Sequence, residues 1–239
     1  MQPLHFLIVE DQTILRKLLQ SHLTSQFPGC RLSEAISMTQ LHGLDLAQLA
    51  PDLCIVDLEL PDGNSLEWVE QQSKRPGHPK VLLLTSVEED YVLFRAIHSN
   101  IPGFVHKNDD PTILHLAIQT VLAGGVFFSP TVQKMRSKMQ RDPLFFTKVL
   151  SDREQKILEY LGQGLSNEEV AQLFGLKVSS VADHRKNIMS KLGLHNQAEL
   201  MRYAMLKGFS RFPWNASSGD GAVPGRSGDV SDHGAYDRQ

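Results

Sequence analysis

The chain has 239 residues, a net charge of −3 and 41% hydrophobic residues, which suits a soluble protein with two domains. No apolar run is long enough to cross a membrane, and the first residues lack the pattern of a signal peptide. The two cysteines, Cys30 and Cys54, give neither a disulfide framework nor a metal-ligand spacing. We therefore expect a cytoplasmic protein.

Charge is distributed unevenly along the chain. Residues 1–124 carry 8 Lys and Arg against 15 Asp and Glu, whereas residues 125–150 carry 5 against 1 and residues 151–208 carry 8 against 7. An acidic first half is a poor binder of polyanions. Any contact with nucleic acid should therefore lie in the second half.

The first half alternates short apolar runs with helical patterns, and five runs fit strands that are covered on both faces. They are LHFLIV (4–9), CRLSEA (30–35), LCIVD (53–57), KVLLLT (80–85) and GFVHK (103–107). Helix start signals between them are Asp11, Ser37 with Gln40, Ser86 with Glu89, and Asp110 before Pro111. Five such repeats predict an α/β doubly wound five-stranded parallel sheet over residues 1–124.

The rest of the chain divides into three parts. Residues 125–148 mix glycine and proline with basic residues and are predicted to form a linker. Residues 149–208 have the pattern of an all-α domain of four helices. Residues 213–239 have almost nothing to bury and are predicted to be a disordered tail. Helix-start capping boxes in the all-α domain are expected at Ser151 with Glu154, Ser166 with Glu169, and Asn196 with Glu199.

Five polar residues stand at the carboxyl ends of predicted strands. They are Glu10, Asp11, Asp57, Thr85 and Lys107. Each one alone has an ordinary explanation, such as a helix cap for Asp11 or a surface lysine for Lys107. Because doubly wound sheets bind ligands at the carboxyl ends of their strands, we expect all five to meet in one pocket.

The residue types in this pocket indicate phosphoryl chemistry. Clustered carboxylates repel one another unless a hard cation lies among them, and carboxylate oxygens suit Mg²⁺. Beside such a metal, Asp57 can act as a nucleophile toward a phosphoryl group. Lys107 offers a positive charge and the Thr85 hydroxyl a hydrogen-bond donor for the phosphoryl oxygens. These residues predict that Asp57 is phosphorylatable.

Four segments of residues 1–124 resemble the receiver domain of two-component response regulators, which has a flavodoxin-like fold. They are VED (9–11), IVDLELPDGNSLE (55–67), LLLTS (82–86) and GFVHK (103–107). The resemblance implies that a sensor histidine kinase, or a small phosphodonor, phosphorylates Asp57. It also implies that Mg²⁺ is bound by the residues Glu10, Asp11 and Asp57 and by the backbone carbonyl of Glu59.

Two further roles follow from the same resemblance. Phe104 occupies the aromatic position that turns inward when the hydroxyl matching Thr85 moves to the phosphoryl group, although simple core packing is the alternative. The side chain of Glu59 is expected at the pocket mouth, where we hypothesise that it alters the lifetime of the phosphoryl group.

Residues 150–205 have the pattern of a helix-turn-helix. Gly175 allows a tight turn after the second helix, and Val181, Ile188 and Leu192 recur at helical spacing in the third. The opposite face of the third helix is polar and basic, as in helices that enter the major groove.

The string LSDREQKILEYLGQGLSNEEVAQLFGLKVSSVADHRKNIMSKLG (150–193) resembles the LuxR/FixJ-type DNA-binding domain. Together with a receiver, it implies a transcriptional response regulator of the NarL/FixJ type that binds double-stranded DNA. The candidate DNA contacts lie on the third helix and at its start. They are Lys177, Ser179, Ser180, Asp183, Arg185, Lys186 and Lys191.

The third helix departs from the family pattern at two positions. Lys177 stands where relatives often have a Ser or Thr cap, and it cannot accept a backbone N–H. Either Ser179 shifts the helix start, or Lys177 reaches a phosphate. Asp183 either accepts from a cytosine amino group or pairs with a nearby cation such as Lys186.

The near-neutral charge of residues 151–208 predicts weak non-specific binding by one copy. Two copies on half-sites about 10 base pairs apart would supply affinity. Phosphorylation would then act by forming a homodimer. Release of the third helix from the receiver surface is an equally available mechanism.

Two other functions compete with this interpretation. An aspartyl phosphatase resembling haloacid dehalogenases would carry an Asp-x-Asp pair after the first strand, which is lacking here, so we predict that the protein is not an enzyme. The alternative function is an unphosphorylated receiver-like protein-interaction platform attached to a DNA-binding domain.

Overall fold

The fold is known from a computed structural model that describes residues 3–72, 74 and 77–210. The tail predicted at 213–239 lies outside these residues. In the first half, strands and helices alternate in the order β1 (His5–Val9), α1 (Thr13–Gln26), β2 (Arg31–Ala35), α2 (Met38–Gly43), α3 (Leu46–Leu49), β3 (Leu53–Asp57), β4 (Glu59–Leu60), β5 (Gly63–Asn64), α4 (Leu66–Gln72), β6 (Lys80–Thr85), α5 (Asp90–Ile97), β7 (Gly103–His106) and α6 (Pro111–Leu122).

The main sheet is parallel, in the order β2-β1-β3-β6-β7 with one further strand at the edge. That sixth strand is β8 (Phe127–Phe128), which pairs with β7 in the register Gly103↔Phe127. The predicted sheet had five strands, because a two-residue run is too short for an apolar pattern to signal a strand. The short strands β4 and β5 form a separate antiparallel pair.

Both faces of the sheet are covered, as the continuous apolar runs require. Along β1, Phe6 and Ile8 belong to one apolar cluster, whereas Leu7 and Val9 belong to another on the opposite face. The first cluster also contains residues of α1 and α6, and the second contains residues of α2, α4 and α5. The result is a three-layer doubly wound domain.

The helix starts of the first half follow the predictions only in part. Ser37 and Asp110 accept hydrogen bonds from the amides they were expected to cap. The cap predicted at Asp11 is wrong, because α1 begins after Gln12 and the Asp11 carboxylate lies in the acidic cluster instead. The capping box predicted at Ser86 is also wrong, because α5 begins after Glu89 without a side-chain cap.

The second half is helical. Its helices are α7 (Pro130–Arg141), α8 (Phe146–Val149), α9 (Asp152–Gly162), α10 (Asn167–Phe174), α11 (Val178–Leu192) and α12 (Gln197–Leu206). Within the predicted linker, α7 buries Val132 and Met139, and α8 buries Phe146. Much of the linker therefore packs into the core, since its apolar residues recur at helical spacing among the basic ones.

The helix-turn-helix consists of α10, a turn at Gly175, and α11. Capping boxes at Ser151 and Ser166 are confirmed, and Asn196 accepts from the amide of Glu199. Gly175 ends α10 at φ +62°, in the left-handed conformation that favours glycine. Within the described ranges, no helix is both long and apolar enough to pass through a membrane.

Candidate functional site

A polar pocket lies at the carboxyl edge of the sheet. Asp57 ends β3, Thr85 ends β6, and Glu10 and Lys107 follow β1 and β7 directly. These four strands are consecutive neighbours in the sheet, so their ends converge as predicted. Glu10 is 1% exposed, Asp57 3% and Thr85 0%, whereas Asp11 is half-buried.

Lys107 bridges the two buried carboxylates. Its Nζ donates a hydrogen bond of 2.7 Å to Asp57 Oδ2 and lies 3.0 Å from Glu10 Oε2. The other Asp57 oxygen, Oδ1, accepts from the backbone amide of Glu59 at 3.3 Å. One ammonium and one amide thus hold the Asp57 carboxylate close to the carboxylates of Glu10 and Asp11.

The carboxylates of the pocket outnumber its positively charged groups. Burial raises the pKa of Glu10, with a further rise from the charge of Asp57. Burial also raises the pKa of Asp57, although Lys107 opposes the rise. For Lys107 burial works against the charged form, but the hydrogen bond and charge of Asp57 outweigh it and raise the pKa. A cation beside the carboxylates would lower the free-energy cost of keeping them charged.

The residues present fit a divalent cation such as Mg²⁺. One carboxylate oxygen from each of Glu10, Asp11 and Asp57 lies within 4.8 Å of the others. Glu10 Oε2 is buried and lies 3.0 Å from the Lys107 ammonium, which also donates to Asp57. One ammonium shared between two buried carboxylates leaves the three-carboxylate cluster negatively charged, and a divalent cation would neutralise that charge.

The remaining predicted pocket residues differ in their placement. The Thr85 hydroxyl accepts a hydrogen bond of 3.0 Å from the amide of Val87, so it is engaged with the turn that follows β6. The side chain of Glu59 is exposed. Phe104 is 0% exposed and belongs to the apolar cluster that includes α5, which is the arrangement expected from core packing.

Two residues that hold the pocket were missed in the sequence. Arg16 donates to the carbonyls of Glu10 and Asp11 at 2.9 and 3.1 Å and so fixes the turn after β1. Ser65 is fully buried and donates a 2.7 Å hydrogen bond to the carbonyl of Asp57. The position of Arg16 one turn into α1 was a usable signal, whereas the contact of Ser65 depends on the fold of the β4–β5 pair.

The candidate DNA-contacting residues lie on or next to α11. Lys177 is the N-cap residue of α11 and makes no side-chain cap. The helix begins at Val178, so the idea that Ser179 shifts the helix start is wrong. Most of the candidates are exposed, and Ser180 and Arg185 are half-buried; the exposed ones are Lys177, Ser179, Asp183, Lys186 and Lys191.

The contacts of three of these side chains bear on whether each one is available to DNA. Lys191 donates to both carboxylate oxygens of Glu154 at 2.8 and 2.7 Å, which ties α11 to the start of α9. Arg185 approaches the carbonyl of Leu165 at 3.5 Å, and burial lowers its pKa. Asp183 forms no ion pair with any residue that the structure describes, so pairing with Lys186 is not observed.

Comparison with known proteins supports the interpretation of the first half as a receiver domain and of the second half as a LuxR-type DNA-binding domain. The family model of the response regulator receiver domain matches residues 6–119, and that of the luxR family of bacterial regulatory proteins matches residues 148–204. The chain is a response regulator of the NarL/FixJ type. As such it is a DNA-binding regulator of transcription and not an enzyme.

Several relatives of this response regulator span most of its length. Response regulator protein VraR of Staphylococcus saprophyticus is 31% identical over 208 residues, which cover 84% of this chain and 96% of that protein. Fimbriae Z protein of Escherichia coli is 38% identical over 156 residues, 65% of this chain and 74% of its own. RcsB from Salmonella enterica serovar Typhimurium, solved bound to promoter DNA with a phosphomimetic, shares the fold with a TM-score of 0.59 at 22% identity, covering 84% of this chain and 98% of RcsB.

Proposed function

We propose that this response regulator is phosphorylated on Asp57 by a sensor histidine kinase and that phosphorylation controls homodimer formation and promoter binding. The observation that carries the proposal is the buried pair of Asp57 and Glu10 around Lys107, with one oxygen of each lying within 4.8 Å of the other and of an oxygen of Asp11. In this proposal residues 1–124 receive the signal, residues 149–208 bind DNA, and residues 125–148 join them.

Mg²⁺ would be held by Glu10, Asp11, Asp57 and the backbone carbonyl of Glu59. When bound, the metal supplies positive charge to the incoming phosphoryl oxygens. The chain's own groups do the rest. Asp57 Oδ1 and Oδ2 are oriented by the Glu59 amide and Lys107, and the Thr85 hydroxyl lies at the next strand end, ready to exchange its bond from Val87 for one to a phosphoryl oxygen.

The test of the pocket is phosphorylation with a small phosphodonor, followed by intact-mass measurement. Wild type in Mg²⁺ should gain one phosphoryl group, whereas Asp57→Asn should gain none. Ser65→Ala keeps every carboxylate and loses only the bond that supports Asp57, so it should be phosphorylated more slowly and not fail. If Asp57→Asn took up a phosphoryl group at the wild-type rate, the assignment of Asp57 as the phosphorylated residue would be contradicted.

DNA binding is proposed for the exposed face of α11. Lys186 and Lys177 would contact phosphates, and Asp183 a base edge, because Asp183 is exposed and unpaired among the described side chains. The start of α11, at Ser179 and Ser180, would lie against the backbone or a base. We assign Lys191 mainly to its bond with Glu154 and Arg185 to support of the α10 start and turn.

A DNA titration at several salt concentrations separates these roles. Lys186→Ala should weaken binding of all sequences alike and lower the magnitude of the salt slope by about 1. Asp183→Asn should keep the salt slope and change the preferred sequence. If both variants changed only affinity, Asp183 would not be reading a base.

The homodimer would use an apolar surface of the receiver. Ile14 and Leu18 lie one turn apart on α1, 79% and 61% exposed. Beside Leu18 a groove of about 450 Å³ runs between α1 and α6 and is lined by Leu15 and Leu114. An exposed apolar face of this kind indicates a partner surface, and RcsB has been solved as dimers on DNA.

Dimer formation, and not uncovering of α11, is the favoured mechanism. Most of the candidate residues of α11 are exposed, and only Ser180 and Arg185 are half-buried, which supports dimer formation over release of a covered helix. Phosphorylation would therefore raise DNA affinity by joining two DNA-binding domains. Analytical ultracentrifugation with and without phosphodonor tests this, and a constant monomer mass with raised DNA affinity would contradict it.

A further inference from the structure

Helix α7, in the segment between the two domains, presents a basic face to solvent. Its inner side packs against the apolar core through residues at helical spacing, which are Val132, Met135 and Met139. The opposite side is exposed and carries a row of cations three or four residues apart, which are Lys134, Lys138 and Arg141. Because α7 contains no Asp or Glu, nothing on the helix itself neutralises this row.

No ion pair neutralises the row either, within the part of the chain that the structure describes. The carboxylate of Asp142, next along the chain, accepts a 2.9 Å hydrogen bond from the amide of Leu144. Arg136 lies at the side of the row, with its guanidinium 5.7 Å from the centroid of the Phe128 ring. The exposed face of α7 is therefore positively charged.

Helix stability accounts for only part of this charge. Cations in the last turn of a helix are favourable because of the helix dipole, and Lys138 and Arg141 lie in that turn of α7. Lys134 lies in the middle of the helix, where the effect of the dipole is small. The row thus extends beyond what the end of the helix requires.

Both ends of α7 are held in place by hydrogen bonds. At its start, the Thr131 hydroxyl donates to Asp109 Oδ1 at 2.7 Å, which ties the helix to the loop after β7. At its end, Lys148 Nζ of α8 donates to the carbonyls of Gln140 and Asp142 at 2.7 and 2.6 Å. The basic face therefore has a defined position on the molecule.

The same segment packs against the DNA-binding domain. Phe146 of α8 meets Phe209, just after α12, edge to face with ring centroids 5.0 Å apart. The next helix after α8 is α9, and its Glu154 accepts the hydrogen bonds of Lys191 of α11. The basic face of α7 and the exposed face of α11 are thus joined by a continuous series of contacts.

The distribution of charge indicates what this face binds. Residues 151–208 carry 8 Lys and Arg against 7 Asp and Glu, whereas residues 125–150 carry 5 against 1. The DNA-binding domain alone therefore attracts a polyanion weakly, and α7 has the charge that the domain lacks. Lys134 and Arg141 are about 10 Å apart along the helix axis. Over that length one strand of DNA presents about three phosphates.

From this complementarity we infer that the face formed by Lys134, Lys138 and Arg141 is a second DNA-contacting surface, which binds the phosphate backbone beside the bases that α11 reads. The inference goes beyond the proposed contacts of α11 and rests on them for the position of the DNA. Phosphate contacts carry no sequence information directly. The α7 face therefore raises the affinity for every DNA sequence and leaves the choice of sequence to α11.

The experiment is a DNA titration of the full chain at several salt concentrations. Lys134→Gln, Lys138→Gln and Arg141→Gln keep residues that favour helix. Each should lower the magnitude of the salt slope by about 0.9, and the triple variant should lower it by about 2.7, with the preferred sequence unchanged. Lys138→Arg keeps the charge and should behave as wild type.

Arg31→Gln is the control of equal charge change. Arg31 is exposed on β2, which lies at the opposite edge of the sheet from β8, the strand that precedes α7. We expect Arg31→Gln to keep the wild-type salt slope. If Arg31→Gln lowered the slope as much as Lys138→Gln does, the effect would belong to net charge in general, and the inference would be overturned.

Ethylation of single phosphates then locates the contact. Some phosphates should weaken binding of wild type when ethylated and have no effect on binding of the triple variant. If the triple variant keeps the wild-type salt slope and instead weakens the phosphorylated dimer in sedimentation without DNA, the face binds the acidic receiver of a second copy, and the inference is overturned.

Lys186→Ala separates this inference from the proposed function. If Lys186→Ala lowers the salt slope and the triple variant does not, the α7 surface is excluded and the proposed DNA contacts of α11 stand. If neither lowers the slope of a wild-type protein that binds DNA, the proposed phosphate contact of α11 fails as well.

Discussion

Glu10 and Asp57 are carboxylates kept in a place where their charge is costly. Burial raises the pKa of both, so the folded chain favours the protonated forms more than the unfolded chain does. The destabilisation that these two charges cause is therefore present at pH values above the raised pKa values of the folded chain. It disappears as the pH falls below the ordinary values of 4.5 for Glu and 3.8 for Asp.

Removing one of these charges should stabilise the metal-free protein. We expect Glu10→Gln to raise the free energy of unfolding at pH 7.5 by about 1 kcal/mol, since buried functional groups of this kind are held at the expense of stability. It should also lose most of the stabilisation that Mg²⁺ gives to wild type. Urea unfolding with and without Mg²⁺ measures both effects. Glu168→Gln, which removes an exposed carboxylate, should show neither, and a less stable Glu10→Gln would contradict the account.

A second titrating group lies away from the pocket, between α1 and α6. The rings of His22 and His115 meet edge to face with centroids 5.6 Å apart, and neither His22 Nε2 nor His115 Nδ1 has a hydrogen-bond partner among the described residues. Burial, and then the charge of His115, lowers the pKa of His22. Because the folded chain resists protonation of His22, stability is complete above pH 6.5, the ordinary value, and declines as the pH falls through the lowered pKa.

Replacing His22 should therefore flatten the pH profile. We expect the free energy of unfolding to fall between pH 7.5 and pH 5.5 by a smaller amount in His22→Gln than in wild type. Chemical denaturation at the two pH values gives the difference, in which the contribution of the acidic pocket cancels. An identical decline in both proteins would show that His22 does not titrate differently on folding.

Among the secondary-structure elements, strands were easier to predict from sequence than helix starts. Each buried strand is a continuous apolar run, so β1 and β3 follow directly from local pattern. Helix starts depend on which group satisfies the free amides. At α5 that group is the carbonyl of Lys207, more than a hundred residues away in sequence, and no local motif could reveal it. The pocket was predictable for the same reason as the strands, because strand ends fix its residues, whereas the contact of Ser65 with the carbonyl of Asp57 depends on the fold of the β4–β5 pair.

The start of α11 is the clearest element with an unmet local requirement. Lys177 has the extended backbone of an N-cap residue, φ −75° and ψ 144°, but offers no acceptor. We expect Lys177→Ser to raise the free energy of unfolding by about 1 kcal/mol through a new cap. The same substitution should lower the magnitude of the salt slope of DNA binding by about 1 if Lys177 contacts a phosphate. Thermal unfolding and salt titration read the two effects separately, and an unchanged salt slope would remove Lys177 from the DNA contacts.

For the whole molecule, the proposed dimer surface and the contact between α5 and α12 lie on different sides of the receiver. That contact uses Asp90 of α5, whereas the exposed leucine of the proposed dimer surface is on α1. Leu18→Asp should leave stability within about 0.5 kcal/mol of wild type because Leu18 is already exposed. It should weaken the phosphorylated dimer at least about tenfold, a change of about 1.4 kcal/mol. Sedimentation of the phosphorylated protein provides the measurement, with Thr24→Asp as a control of equal charge change, and a wild-type dimer constant would exclude this surface.

The exposure of most of the DNA-contacting candidates of α11 has a consequence for the cell. A regulator whose α11 is already accessible will bind some promoter DNA even without phosphorylation. Mass action alone will drive pairs of copies onto a promoter when the protein is abundant. Gene dosage should therefore substitute for the signal. Raised expression of Asp57→Asn should give partial promoter output with no kinase, and the output should rise roughly with the square of the protein level.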